Sequence, residues 1–312
     1  MSSALESVGV SADLARASRT GGRRTEFPRA SDRIPVGDLH ASPLCLGAVD
    51  HADAVERAFC QGINFFFVSC DLHWPAYRET KAGLRRLLRR RASRRADVCV
   101  AVTTYVSHSD FIAAALDELL TDLPELESID LLVAGGLYEH DALSRVHGLA
   151  QLRRAGWCRA IGGSFHDRAA ARVVIPSQAL DLAYIRYNPA HIGASTDLFP
   201  ALEPARPPVF GFNSTLGCPT PALWKKLGLG RDVWRPDHAD YYRFALGRPE
   251  VTGLLFAPKT VRQVDDAIAG LSRGPLSSDE EEHLVALAVR SASSAAERAK
   301  PRAGPPTRRA RS

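Results

Sequence analysis

A chain of 312 residues with 45% hydrophobic side chains can bury a complete core, and a one-domain barrel of roughly 250 residues lies within its reach. No stretch approaches the roughly 20 consecutive apolar residues that a membrane helix needs, and the opening "MSSALESVGVSADLARASRTGGRR" shows no apolar run ending at a small-residue cleavage site, so a cytoplasmic protein is expected. The formal charge of +5 is concentrated in "RRLLRRRASRR" (85 to 95) and in "RAKPRAGPPTRRARS" (298 to 312), which argues against a uniformly basic nucleic-acid surface.

In chain order, residues 1–31 are polar and are expected to be disordered. "RIPVGDLHASPLCLGA" then reads as a hairpin followed by a strand. From residue 62 onward, strand-like runs alternate with helix-like stretches: "INFFFV", "DVCVAVT", "DLLVAG", "CRAIGGS", "DLAYIRYN", "PPVFGFN" and "VTGLLFA". Repeated alternation predicts a parallel sheet. Counting "LCLGA" (44 to 48), the candidates number eight, which closes a barrel. Between them, 110–123 and 142–156 carry apolar residues three and four apart, as amphipathic helices do. The arginine run 85–95 follows Leu84, Leu87 and Leu88 at helical spacing and reads as a helix end with a solvated basic face. Residues 32–290 are assigned to the barrel and 291–312 to a disordered basic tail. The six cysteines are scattered with no Cys-x-x-Cys pair, so neither a metal site nor a disulfide framework is expected.

In such a barrel the chemistry gathers at the carboxyl ends of the strands. Polar candidates there are Asp71, His73, Tyr77, Tyr105, His140, His166 and Asp167. A histidine beside carboxylates can serve as an acid or base near neutral pH. Asp71 and Asp167 read equally as helix N-caps, and His73 as an exposed loop residue.

Taken together, "RIPVGDLHASPLCLGA", "AVERAFCQGINFFF", "LRRAGWCRAIGGSFHD" and "DLAYIRYN" fall in the order and spacing of the aldo/keto reductases, and residues 32–290 resemble that superfamily, most nearly a divergent bacterial branch. The resemblance implies an α/β fold, a single (β/α)8 TIM barrel preceded by an N-terminal β-hairpin, which binds NADP(H) across its mouth. It also implies an Asp, Tyr, Lys and His tetrad for carbonyl reduction. At the matching positions this chain has Phe67, Leu72, Thr103 and Gly135. Of the implied cofactor contacts, Ser164 is retained and Phe212 keeps a stacking face where a tyrosine is usual, while Phe165 and Tyr184 replace the amide-recognising Asn and Gln. Lys259 and Thr260 resemble residues that grip the 2′-phosphate of NADP, Gln263 and Asp266 also fall at family positions, and Ala267 replaces an adenine-contacting Asn.

Two readings of function follow. In one, the barrel is without standard carbonyl reductase activity and holds NADP(H) weakly, or another small ligand or a protein partner. In the other, Asp71, His73 or His166 supports a repurposed NADPH-dependent or non-redox enzyme. A nucleic-acid partner rests on the arginine runs alone.

Overall fold

The computed structural model describes residues 22–299, except 91, 225, 226 and 231. A hairpin comes first, with β1 (Ile34–Val36) antiparallel to β2 (Leu39–Ala41), turned at Gly37 with φ 58°, a left-handed angle that glycine adopts without penalty. The barrel strands follow: β3 (Leu44–Leu46), β4 (Phe65–Ser69), β5 (Cys99–Thr104), β6 (Ile129–Leu137), β7 (Cys158–Phe165), β8 (Leu182–Arg186), β9 (Val209–Phe212) and β10 (Gly253–Phe256). They pair in sequence order, all parallel, and β10 closes on β3. The eight-stranded barrel and its hairpin are therefore as the sequence predicts.

The helices are α1 (Asp53–Cys60), α2 (Arg78–Arg90), α3 (Ser109–Asp122), α4 (Ala142–Arg154), α5 (Arg168–Val174), α6 (Ala194–Asp197), α7 (His238–Leu246), α8 (Val261–Leu271) and α9 (Ser278–Ala299). Strand periodicity divides the apolar residues into two cores. Phe66, Val68, Val100, Val102, Leu132 and Ile161 face outward and pack on the helices. Cys45, Phe65, Phe67, Ala101, Leu131, Val133, Leu182, Tyr184 and Phe210 face inward, and Val36, Leu39 and Ala41 of the hairpin plug the amino-terminal end of that inner core.

The described residues include part of each end segment that the sequence reading expects to be disordered. Residues 22–31 are tied down: the Arg24 amide donates to the Gly247 carbonyl at 3.0 Å, the Arg24 guanidinium donates to the Val251 carbonyl at 2.9 Å, and Arg23 pairs with Glu281 at 2.6 Å. Phe27 packs against the helix-side core. A few arginines and one aromatic side chain can anchor a polar segment that has too little apolar surface for a core of its own. At the other end α9 runs on to Ala299, since alanine and glutamate there favour helix. Residues 1–21 and 300–312 lie outside the described residues.

The basic run that begins on α2 is not simply solvated. Lys81 and Arg85 pair with Asp122, Arg86 with Asp53, Arg89 with Glu125, Arg90 with Glu56, and Arg95 with Asp130. Acids of neighbouring helices and loops thus neutralise much of the face that suggested a polyanion partner.

Candidate functional site

At the carboxyl ends of the strands a cavity of about 350 Å³ opens, lined by Phe67, His73, Tyr77, Tyr105, Ser164, His166, Tyr184, Phe212, Ser214 and Tyr242 among others. No lysine and no carboxylate lines it. Its floor is aromatic. The Phe67 ring, 4% exposed, meets Tyr184 edge-on at 5.5 Å between centroids and Tyr77 at 5.9 Å. The Tyr184 hydroxyl lies 3.8 Å from the Cys45 sulfur, deep in the barrel, and burial drives its pKa far up. Phe67 therefore points inward from β4, with aromatic rings packed against it.

The loop after β4 departs from simple spacing. Counting along the chain puts Leu72 in the mouth, whereas the structure turns it to solvent at 57% exposure, outside the mouth cavity. A short 3-10 turn, Trp74–Tyr77, then brings Tyr77 back to the cavity. The extra turn breaks the five-residue count. Burial raises the Tyr77 pKa, which leaves its hydroxyl a weaker acid than free tyrosine. Asp71 does not face the cavity as an acid. Its carboxylate accepts from the Thr104 hydroxyl at 2.6 Å and from the Tyr105 amide at 3.0 Å, clamping the loop to β5. That position is also not a side-chain cap for the turn that follows. His73 is exposed, sits at φ 67° and meets Tyr105 edge-on at 5.2 Å. The Cys70 thiol is pushed up to about 12 by burial and by the neighbouring Asp71, so it stays protonated and is no nucleophile.

On β5 and β6 the Thr103 hydroxyl donates to the Val133 carbonyl at 3.3 Å. A Cβ added to Gly135 would stand 2.7 Å from the Tyr105 ring and 2.9 Å from the Thr103 hydroxyl. Tyr105 has thus taken the space that a side chain at 135 would need. Arg145 of α4, buried behind this corner, donates to the Thr104 carbonyl at 3.3 Å and lies 3.7 Å from Asp141.

On β7, the Ser164 hydroxyl accepts the Gly136 amide at 3.0 Å. Phe165 points away from the mouth into the helix-side core. Asp167 caps α5 by accepting from the Ala169 amide at 2.9 Å, and it also accepts from the Glu139 amide at 3.1 Å. His166 packs edge-on against Phe212 at 5.0 Å. Burial and the Arg186 charge depress its pKa. His140 stacks on Tyr138, away from the cavity lining. Sequence reasoning missed Ser214, a buried residue whose hydroxyl has no hydrogen-bond partner and which lines the cavity. It also missed Arg186, although a step of two along β8 from Tyr184 signals an inward side chain.

A second cavity of about 570 Å³ shares Thr215, Tyr242 and Ala257 with the first and extends over Lys259, Gln263, Asp266, Ala267 and Arg273. The candidate phosphate-gripping residues are bonded among themselves. Lys259 pairs with Asp50 at 3.2 Å, its amide donates to Gln263 at 2.6 Å, and Thr260 caps α8 by accepting from the Gln263 amide at 3.3 Å. Arg273 is held by Asp237 and Asp240. The outer cavity therefore keeps cations whose charge is already shared, and the inner one lacks the amide-recognising pair. The residues present do not fit the nicotinamide end of NADP(H). Among the described residues no group of three His, Cys, Asp or Glu side chains could hold a metal, and no helix is long and apolar enough to cross a membrane.

No family model matches the sequence, and no curated protein matches it. Among solved structures the fold is similar to an aldo-keto reductase from Bacillus halodurans in its holo form, with a TM-score of 0.64 and 16% identity, covering 85% of this chain and 96% of that one.

Proposed function

We propose that the chain is an aldo/keto-reductase-like barrel that binds a small ligand at its carboxyl rim and does not reduce carbonyls by the standard tetrad. One observation carries this reading: the mouth has an aromatic floor built on Phe67, Tyr77 and Tyr184, and neither a lysine nor a carboxylate lines it. Carbonyl reduction needs a proton donor whose pKa is brought down toward neutrality by a nearby cation. Tyr77 supplies a hydroxyl in a suitable place, but burial moves its pKa in the wrong direction. NADP(H) is then at most a weak ligand, met at its phosphate end by the shared charges around Lys259 and without amide recognition at the other.

The placement of Tyr77 favours a second reading, a slow oxidoreductase in which Tyr77 rather than Asp71 or His73 gives up the proton. One assay separates the two. NADPH oxidation against a panel of aldehydes and quinones stays at the level of a heat-killed control on the first reading. On the second, it rises above that level and is lost in Tyr77→Phe. Isothermal calorimetry with NADPH measures binding independently of turnover, and weak or absent heat is the expected result.

A further inference from the structure

The side of the mouth formed by β7, β8 and β9 carries positive charge with no acid set against it. Along β8, Tyr184 faces inward, and the period of two places Arg186 on the same face, one step nearer the rim. Arg186 pairs in register with Phe212 of β9. On its other side, Phe165 pairs with Ile185, which puts His166 beside Arg186. His191, on the loop after β8, belongs to the same cluster: burial depresses its pKa first, and Arg186, Arg168 and His166 add to the effect. The nearby carboxylates are engaged elsewhere. Asp167 accepts two backbone amides, and Asp197 pairs with Arg168 at 2.6 Å. No hydrogen bond or ion pair among the described residues gives the half-buried Arg186 guanidinium an acceptor.

Beside this cluster Phe212 offers an apolar ring, and Ser214 adds a buried hydroxyl without a partner. A guanidinium with a free planar fork matches a carboxylate or phosphate in two parallel hydrogen bonds. The cavity of about 350 Å³ lined by His166, Phe212 and Ser214 suits a small molecule, and Arg186 stands at its edge, next to His166 and Phe212 in the strand register. From this geometry we infer that the mouth takes a small organic oxyanion, its carboxylate or phosphate seated on Arg186 with His166 and Ser214 beside it, and its apolar body against Phe212. This deepens the reading of the mouth as a ligand site and rests on it. A neutral amide head offers the guanidinium a single carbonyl acceptor and no charge, so the site discriminates by charge.

Calorimetry of the full chain with benzoate, phenyl phosphate and benzamide tests the inference, with NADPH titrated separately. Benzoate or phenyl phosphate is expected to bind, the tighter of the two identifying the anionic group, and benzamide to bind roughly tenfold or more weakly, as befits the loss of a charge-assisted pair. Arg186→Gln is expected to weaken the anions by a similar factor and to leave the melting temperature unchanged, because Arg186 holds no protein group. Arg186→Lys is expected to recover part of the affinity. Proton NMR of the imidazoles supplies a second readout: the pKa values of His166 and His191 rise in Arg186→Gln and rise in the wild type when the anion binds. Equal binding of benzoate and benzamide, or benzoate affinity unmoved by Arg186→Gln, would overturn the inference. If NADPH binds and no small anion does, the inference falls while the ligand-site reading stands. If nothing binds, both fall.

Discussion

Phe67 is the residue on which the reading of the mouth turns. Its ring supports two others, and its replacement by aspartate would bury a carboxylate with no cation beside it. Phe67→Asp is expected to cost at least the roughly 3–5 kcal/mol of a large-to-small core change, and Phe67→Leu clearly less, as measured by urea unfolding. A harmless Phe67→Asp would place the side chain in solvent and undo the account of the floor. Asp71 is the contrasting case, a polar residue at the rim whose work is structural. Asp71→Ala frees the Thr104 hydroxyl and the Tyr105 amide, and is expected to cost about 1–3 kcal/mol in the same measurement. It should leave benzoate binding nearly unchanged. A loss of binding with no loss of stability would instead make Asp71 a ligand contact.

Among the elements, the eight strands were legible because aromatic and aliphatic runs such as "INFFFV" and "DVCVAVT" stop at polar residues, and because the intervening helices repeat at three and four. The loop after β4 was not. A count from Phe67 assumes a loop of fixed length, and the turn Trp74–Tyr77 defeats it, sending Leu72 outward and Tyr77 in. The arginine face of α2 was read as solvated for a related reason: its partners Asp53, Asp122 and Glu125 lie on other elements, which no local pattern reveals. The segment before β1 is the clearest correction. Arg23 offsets the burial of Glu281, whose pKa is raised by desolvation and pulled back by that arginine. Replacing Arg23 and Arg24 by alanine is expected to lower the melting temperature, at about 2–4 °C for each kcal/mol lost. Calorimetric scanning reads this directly, and an unchanged transition would mean that the segment only rests on the barrel.

At the scale of the molecule, the rim histidines couple stability to pH. His166 and His191 have folded-state pKa values below the ordinary histidine value, so near and below that value the unfolded chain binds more protons than the folded one. Stability is then present in full above the unfolded pKa and is lost as pH falls through it toward the folded values. Denaturant midpoints measured from pH 8 to pH 5 should fall on the acid side, and Arg186→Gln should flatten that part of the slope. A slope untouched by the substitution would assign the acid sensitivity to other groups. The hairpin at the opposite end has a different kind of consequence. Because Val36, Leu39 and Ala41 stopper the barrel, the mouth is a cul-de-sac: a molecule seated on the aromatic floor leaves by the door through which it came. Traffic is last in, first out. A bulky solute lodged at the shared residues Thr215 and Tyr242 should therefore slow the escape of a deeper acid without changing the contacts that hold it.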